Sequence, residues 1–150
     1  MADRFDRKAR VAFGAYLFGS AILHVSWESL QLPLYTIWRT GTPREIAFAV
    51  VHCTAGDVLL AAFWLFAAVV VLGDREWPAE HFARVAVAAI AIGVGYTIYS
   101  EWLNVVIRKS WAYTELMPTL PVLGTGLSPV LQWLVIPSIA LYSVGRQRPL

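Results

Sequence analysis

Ionisable and amide side chains interrupt four long apolar stretches of this sequence, and each stretch carries at least one of them. They are His24, Glu28 and Gln31 on the first stretch, His52 and Asp57 on the second, Glu101 and Asn104 on the third, and Gln132 on the fourth. Histidine and carboxyl groups can donate and accept protons, and both also bind metal ions. Because a charged group in hydrocarbon is costly, such residues usually face a bundle interior or a cavity. The pattern therefore predicts one buried polar pocket.

The apolar stretches cover about residues 11–32, 46–72, 83–107 and 127–144, and the first could extend past Pro33 to Trp38. Apolar residues make up 58% of the 150 residues and charged residues only 15%, which is far from the balance of a soluble domain. A helix of about 20 residues crosses a bilayer core of about 30 Å. Apolar runs of this length exclude strands. The sequence therefore predicts an all-α, integral membrane four-helix bundle that forms a single domain, 1–150.

The basic residues predict how this bundle is oriented. Eight of them fall on the side of the two termini (Arg4, Arg7, Lys8, Arg10, Arg75, Arg84, Arg146 and Arg148), and four fall on the other side (Arg39, Arg44, Arg108 and Lys109). Because cytoplasmic loops carry an excess of Lys and Arg, both termini are predicted to be cytoplasmic. The expected location is a bacterial-type inner or cell membrane. The first stretch is too long for the apolar region of a signal peptide and is predicted to remain as a span.

Depth and helical periodicity place the polar residues together. In this orientation all of them fall between the bilayer midplane and the outer surface. His24, Glu28 and Gln31 are spaced i, i+4, i+7 and share one helix face. Two further faces are predicted, one with Asp57 beside Cys53, Thr54 and Trp64, and one with Glu101 beside Thr97 and Asn104. His52 is five residues from Asp57, so the two side chains need not face one cavity.

Each polar residue also has a purely structural interpretation. Gln31, Asn104 and Gln132 could be interhelical hydrogen-bonding residues, because amides commonly bridge membrane helices. Glu101 is close enough to the interface to be hydrated, and His52 could be a packing histidine. A purely structural role explains Glu28 and Asp57 less well. A carboxyl group deep in the bilayer must be paired with another group, be protonated or take part in a reaction.

At these residues the chain resembles the EXPERA group, the four-helix membrane domain of emopamil-binding sterol isomerases and the sigma-two receptor. The segment His24-Val-Ser-Trp-Glu28 resembles the His-x-x-x-Glu of the first helix in that group. Asp57 precedes Trp64 by the interval that separates an acidic residue from a tryptophan in the second helix of the group. The segment from Gln132 through Trp133 to Pro137 resembles a fourth-helix segment. The resemblance covers the whole chain in layout and about fifteen residues in detail.

The resemblance implies a membrane-embedded protein that acts on or binds a sterol- or isoprenoid-like lipid. It implies double-bond isomerisation through a carbocation, in which Glu28 and His24 donate and accept the protons and Asp57 stabilises the cation. An apolar pocket favours the protonated form of a carboxylic acid, which suits it to donate. Trp133 would add a cation–π contribution of about 0.5–2 kcal/mol. The expected substrate-binding residues are Trp133, Gln132, Glu101, Asn104 and Trp64.

Two other classes of function fit the same residues. A metal-binding or haem-binding redox protein could use the candidate ligands His24, Glu28, His52, Asp57 and Glu101. For haem the axial ligands would be His24 and His52, provided that both rings face one cavity. The third possibility is a non-catalytic membrane subunit or lipid receptor. No cofactor is predicted in the first interpretation. The expected partners are the lipid, the membrane and a homo-oligomer or larger membrane complex, and nothing suggests nucleic acid.

Overall fold

The computed structural model describes residues 7–73 and 77–146, and helices dominate these residues. The helices are α1 (Arg7–Gln31), α2 (Ile37–Thr40), α3 (Pro43–Leu72), α4 (Phe82–Glu101) and α5 (Leu127–Arg146). A 3₁₀ turn over Leu32–Leu34 follows α1, and a π-helix over Trp102–Ile107 continues α4. Within these residues the only β pairings are the isolated bridges Tyr35 to Tyr113 and Thr119 to Gly126. The all-α prediction is confirmed for this part of the chain.

The four long helices form a ring around a common centre. Helices α1 and α4 each pack against both α3 and α5, so α3 and α5 face each other across the bundle. One apolar core joins Ala9 near the start of α1, Val69 near the end of α3, Val85 near the start of α4 and Val144 near the end of α5. Consecutive long helices are therefore antiparallel. We call this end of the bundle the terminal end and the opposite end the cap end.

Four segments of the described chain are long and apolar enough to cross a membrane. They are Arg7–Leu34, Pro43–Leu72, Phe82–Ile107 and Leu127–Arg146, of 28, 30, 26 and 20 residues. Their outer faces carry large apolar side chains such as Phe18 and Leu59, each 71% exposed. An apolar surface of this extent marks a membrane or protein contact rather than a surface in water.

The first helix does not continue to Trp38, so the predicted extension past Pro33 is wrong. The chain makes a 3₁₀ turn at Leu32–Leu34 and becomes extended at Tyr35, where φ is −113° and ψ is 143°. Proline has no amide hydrogen and a fixed φ, which ends the regular α-helical bonding here. This break allows Tyr35 to pair with the loop before α5.

Helix α3 begins at Pro43, three residues before the predicted start of the second apolar stretch, because a capping box fixes its first turn. The Thr42 hydroxyl accepts a hydrogen bond from the amide of Glu45, and the Glu45 carboxylate accepts one from the amide of Thr42 at 2.8 Å. Pro43 occupies the first turn, where its missing amide hydrogen costs nothing.

Thr42→Ala is expected to lower the free energy of unfolding by about 1 kcal/mol, because the N-cap acceptor is lost. Thermal unfolding in detergent, followed by circular dichroism, measures the effect. Thr40→Ala is the matched control, since the Thr40 hydroxyl only donates to the Thr36 carbonyl within an exposed turn. Equal midpoints for the two variants would contradict the assigned cap.

The loop between the π-helix and α5 covers the cap end of the bundle. It is held to the segment after α1 by hydrogen bonds from the Thr36 amide to the Ala112 carbonyl at 3.0 Å and from the Thr114 amide to the Leu34 carbonyl at 2.9 Å. The Thr114 hydroxyl adds a bond to the Pro33 carbonyl at 2.9 Å. We call residues 108–126 the cap loop.

Candidate functional site

Three polar side chains of α1 point into the bundle at the i, i+4, i+7 spacing seen in the sequence. His24 is fully buried, Gln31 is 6% exposed and Glu28 is half-buried between them. The regular α-helical period places all three on the face that α1 presents to α3 and α5. The three side chains therefore share one helix face, as their spacing in the sequence predicts.

The amide of Gln132 on α5 lies at the centre of the site. Its nitrogen Nε2 is 2.9 Å from His24 Nδ1, 2.8 Å from Glu28 Oε1 and 3.1 Å from Asp57 Oδ2. Gln132 is 2% exposed, so water does not compete for these contacts. We call His24, Glu28, Asp57 and Gln132 the Gln132 cluster. The sequence predicts Gln132 as a substrate-binding residue, and in the structure its amide contacts the other three side chains.

Asp57 connects the two helices that face each other across the bundle. Its Oδ2 lies 3.2 Å from His24 Nδ1, and its Oδ1 accepts a hydrogen bond from Trp133 Nε1 at 3.2 Å. The Trp133 ring also packs against the His24 ring with centroids 5.6 Å apart. Asp57 on α3 is therefore bound to both Gln132 and Trp133 on α5.

One contact of the cluster requires a hydrogen that the Gln132 amide does not provide. The Gln132 amide has two hydrogens, yet its nitrogen lies within hydrogen-bond distance of three acceptor atoms. The contact between His24 Nδ1 and Asp57 Oδ2 also needs a hydrogen between its two atoms. In the described part of the chain, neither Glu28 nor Asp57 forms an ion pair with an arginine or lysine. At least one of the three titratable side chains must therefore supply a proton to the network.

A chain of hydrogen bonds leads from the cluster to the outer surface of the bundle. Gln31 Nε2 donates to Glu28 Oε1 at 2.9 Å, and Gln31 Oε1 accepts from the Ser128 hydroxyl at 2.8 Å. Trp27 Nε1 then donates to the Ser128 oxygen at 3.2 Å. Sequence reasoning missed Trp27 and Ser128. Trp27 is four residues before Gln31, a spacing that could have revealed it.

A groove of about 220 Å³ lies at the end of this chain, between α1 and α5. It is lined by Trp27, Leu30, Gln31, Leu34 and Ser128, of which Leu30 is 81% exposed on the apolar outer face. The groove therefore borders the polar network on one side and the lipid-facing surface on the other.

Close packing around Trp133 leaves room only for glycine on the neighbouring helix. A Cβ atom added to Gly93 of α4 would lie 2.5 Å from Cε3 of the Trp133 ring. Trp64, another predicted substrate-binding residue, lies in the interface of α3 and α4. Its ring packs on Phe63 and Tyr96, with centroids 4.8 and 5.7 Å away.

Glu101 belongs to a second polar site, beneath the cap loop. Its Oε2 accepts hydrogen bonds from the Tyr113 hydroxyl and from Trp111 Nε1. The Tyr113 oxygen also accepts a bond from the Gly126 amide at 2.9 Å. Sequence reasoning missed Tyr113, which could be found only from the fold because it is 12 residues from Glu101.

Asn104 has other hydrogen-bond partners than Glu101. Its amide donates to the Ser100 carbonyl at 2.9 Å, and its oxygen accepts from the Ser110 hydroxyl at 3.4 Å. The π-helix at Trp102–Ile107 is wider than an α-helix, so the α-helical period fails beyond Glu101. Asn104 stabilises the end of this helix.

His52 faces outward, away from the Gln132 cluster. Its exposed ring stacks on Phe48 with centroids 5.4 Å apart and planes 14° from parallel. His24 and His52 thus do not face one cavity, which the haem interpretation requires. Among residues 7–73 and 77–146, no group of three or more His, Cys, Asp or Glu side chains is placed to hold a metal ion. The five candidate ligands are divided among the cluster, the cap loop and the outer surface.

The imidazole of His24 retains one unused polar atom. Its Nε2 is buried and has no hydrogen-bond partner, while its Nδ1 contacts Gln132 and Asp57. An unpaired buried nitrogen costs about 1–3 kcal/mol, so such atoms call for a functional or solvent explanation. His24 Nε2 is therefore the one atom of the described cluster best placed to accept or donate a proton to a further group.

Comparison of the chain with protein-family models, with curated proteins and with solved structures finds no match.

Proposed function

We propose that the protein is an integral membrane protein whose Gln132 cluster performs acid–base chemistry on a hydrophobic lipid. The observation that carries this proposal is the convergence of His24, Glu28 and Asp57 on one buried amide. Three titratable groups that share hydrogens in an apolar bundle can give up one proton and take another. The resemblance to the EXPERA group supports a sterol- or isoprenoid-like substrate. The excess of basic residues on the side of the two termini supports a cytoplasmic location for both.

The proposed reaction is the shift of a carbon–carbon double bond. The protonated carboxyl group of Glu28 donates its proton to one alkene carbon, which leaves a carbocation at the adjacent carbon. A neighbouring C–H bond then gives its proton to His24, and its electron pair forms the new double bond. One proton enters the lipid and one leaves, so no oxidant or reductant is required.

The surroundings of the cluster suit this reaction. Asp57 supplies negative charge near the cation, and the Trp133 ring adds its electron-rich face. The groove at Trp27, Leu30 and Ser128 offers access from the bilayer, so that the substrate need not enter water.

Glu28→Gln is expected to reduce isomerisation by about 10²-fold or more, because the amide cannot donate an acidic proton. The purified protein in liposomes is incubated in D₂O with a panel of sterols and isoprenoid lipids, each with an isolated double bond. Deuterium incorporation and double-bond position are measured by mass spectrometry. Glu80→Gln is the matched control, because Glu80 is an exposed carboxylate outside the four long helices. Turnover at the parental rate in Glu28→Gln would contradict the assignment.

A second candidate function is a non-catalytic lipid receptor or membrane subunit. The observation that favours it is that the same hydrogen bonds join α1, α3 and α5, as structural amides commonly do in membranes. A parent protein that binds a lipid of the panel without incorporating deuterium would support this alternative. A stoichiometric transition metal, lost in Glu28→Gln, would replace both proposals by the metal-site interpretation.

A further inference from the structure

The groove between α1 and α5 contains hydrogen-bonding groups that the proposed reaction does not use. Trp27, Gln31 and Ser128 line it together with Leu30 and Leu34, and none of these side chains carries a charge. A phosphate or an ammonium group that leaves water for such a groove needs a partner of opposite charge. The groove therefore suits a lipid whose polar end is neutral.

The three polar side chains of the groove have already used every hydrogen that they can donate. Trp27 Nε1 donates its single hydrogen to Ser128 Oγ at 3.2 Å. The Ser128 hydroxyl donates to Gln31 Oε1 at 2.8 Å. Gln31 Nε2 gives its two hydrogens to Glu28 Oε1 at 2.9 Å and to Gln132 Oε1 at 3.3 Å. No donor of these three side chains therefore remains for a bound molecule.

Two acceptor positions of the same side chains remain unused. A hydroxyl oxygen and an amide oxygen can each accept two hydrogen bonds. Within the described residues, Ser128 Oγ accepts one bond, from Trp27, and Gln31 Oε1 accepts one bond, from Ser128. Each oxygen thus has room for one more donor. A molecule in the groove can bond to these oxygens only if it donates a hydrogen.

The groove also lies at a depth that suits the polar end of a lipid. Trp27 and Leu30 are near the end of the first spanning segment, Arg7–Leu34, and Ser128 is the second residue of the last one, Leu127–Arg146. Both places are at the cap end, where the spanning segments meet the polar region of the bilayer. Because Leu30 is exposed on the outer face, the apolar body of a lipid can lie along α1 while its polar end reaches Ser128.

We propose that this groove binds the hydroxyl group of a lipid alcohol and selects alcohols over ketones and ethers. The lipid hydroxyl donates its hydrogen to a free acceptor position of Ser128 or Gln31. The oxygen of a ketone or an ether finds no donor there and gives up its hydrogen bonds to water. The inference rests on the proposed function only in taking the ligand to be a lipid, and it adds the chemical class of the polar end.

Saturated lipids test this binding without turnover, because they have no double bond to shift. Purified full-length protein in phosphatidylcholine nanodiscs is titrated with two tritium-labelled alcohols, the sterol 5α-cholestan-3β-ol and the linear isoprenoid phytanol. The unlabelled competitors are each alcohol, its carbonyl analogue and its methyl ether, which differ only at the polar end. For at least one of the two skeletons, the alcohol is expected to bind about tenfold or more tightly than its carbonyl analogue and its ether.

Ser128→Ala is expected to change this preference by about tenfold or more. The alcohol loses an acceptor, while the Trp27 N–H loses its own partner and becomes a free donor for a carbonyl oxygen. A purely structural role of Ser128 would weaken both ligands equally and leave the ratio of their affinities unchanged. Ser143→Ala is the matched control, because Ser143 is exposed on the same helix and its hydroxyl donates to the Ile139 carbonyl.

Trp27→Phe tests the same assignment even if Ser128→Ala fails to fold. It removes a donor and frees a second acceptor position on Ser128, so the preference for the alcohol should be retained. A preference for the carbonyl compound in this variant would contradict the assignment.

Equal affinities for alcohol, carbonyl compound and ether in both skeletons, or no binding of either alcohol, would overturn the proposed groove and leave the isomerase proposal intact. A ratio of affinities unchanged by Ser128→Ala would also overturn it. Selection of alcohols that Ser128→Ala abolishes, together with no isomerisation by the parent, would support the groove and reject the isomerase. The two proposals can therefore fail separately.

Discussion

Replacing Gln132 by leucine is expected to destabilise the folded bundle by about 1–3 kcal/mol for each buried acceptor that is left without a donor. Leucine fills a similar volume but donates no hydrogen bond. Glu28 Oε1 and Asp57 Oδ2 would each lose a donor, and His24 Nδ1 would lose its contact at 2.9 Å. The measurement is the free energy of unfolding in mixed micelles, obtained by titration with denaturing detergent.

The matched control is Ser138→Leu on the same helix. Ser138 is exposed on the outer face, and its hydroxyl bonds only to the Leu134 carbonyl one turn earlier. This polar-to-leucine change is expected to be neutral within about 0.5 kcal/mol. If the two variants unfolded at the same detergent fraction, the hydrogen bonds of Gln132 would have no net stabilising role.

Gly93→Ala is expected to cost about 1–3 kcal/mol of stability, because the added methyl group overpacks the interface of α4 and α5. The new Cβ would lie 2.5 Å from Cε3 and 2.7 Å from Cζ3 of Trp133. The indole must move, and its hydrogen bond to Asp57 at 3.2 Å is then stretched or lost. Thermal unfolding and near-ultraviolet circular dichroism of the tryptophans follow both changes.

Gly95→Ala provides an internal control two residues away. A Cβ at Gly95 would have no neighbour within 4 Å, and alanine is a better helix former than glycine. Gly95→Ala should therefore be neutral or stabilising. The double variant Gly93→Ala with Trp133→Phe should recover part of the loss, because the smaller ring relieves the contact. Additive losses in the double variant would show that the damage arises elsewhere.

The regular helices and the face of α1 could be predicted from the sequence, because a fixed period relates spacing to direction. His24, Glu28 and Gln31 follow this period through an uninterrupted α-helix. Asp57 could be brought to the same level by counting residues along antiparallel helices. These four residues do meet in the structure. Their chemical roles stay predictions.

Contacts that do not follow from the α-helical period were not predicted. The π-helix after Glu101 was not predicted, because nothing in the local composition distinguishes that turn from an α-helical one. The outward direction of His52, by contrast, agrees with its offset of about 140° from Asp57 along a regular helix. The separation of Glu101 from the cluster, and its pairing with Tyr113, depend on how the cap loop folds back. A loop of this length has no period from which its contacts could be read.

The bond from Asp57 to Gln132 and Trp133 has a consequence for engineering. Because α3 and α5 face each other across the bundle, these bonds hold the two helices together and also form part of the site. Most single substitutions at these positions would lower the expression of the protein, and this loss would conceal any gain in catalytic activity. New activities should instead be sought in paired libraries that change a donor on α5 and its acceptor on α3 together. Suppressors of a damaged Asp57 are expected on the opposite helix, at Gln132 and Trp133, which the Asp57 carboxylate contacts.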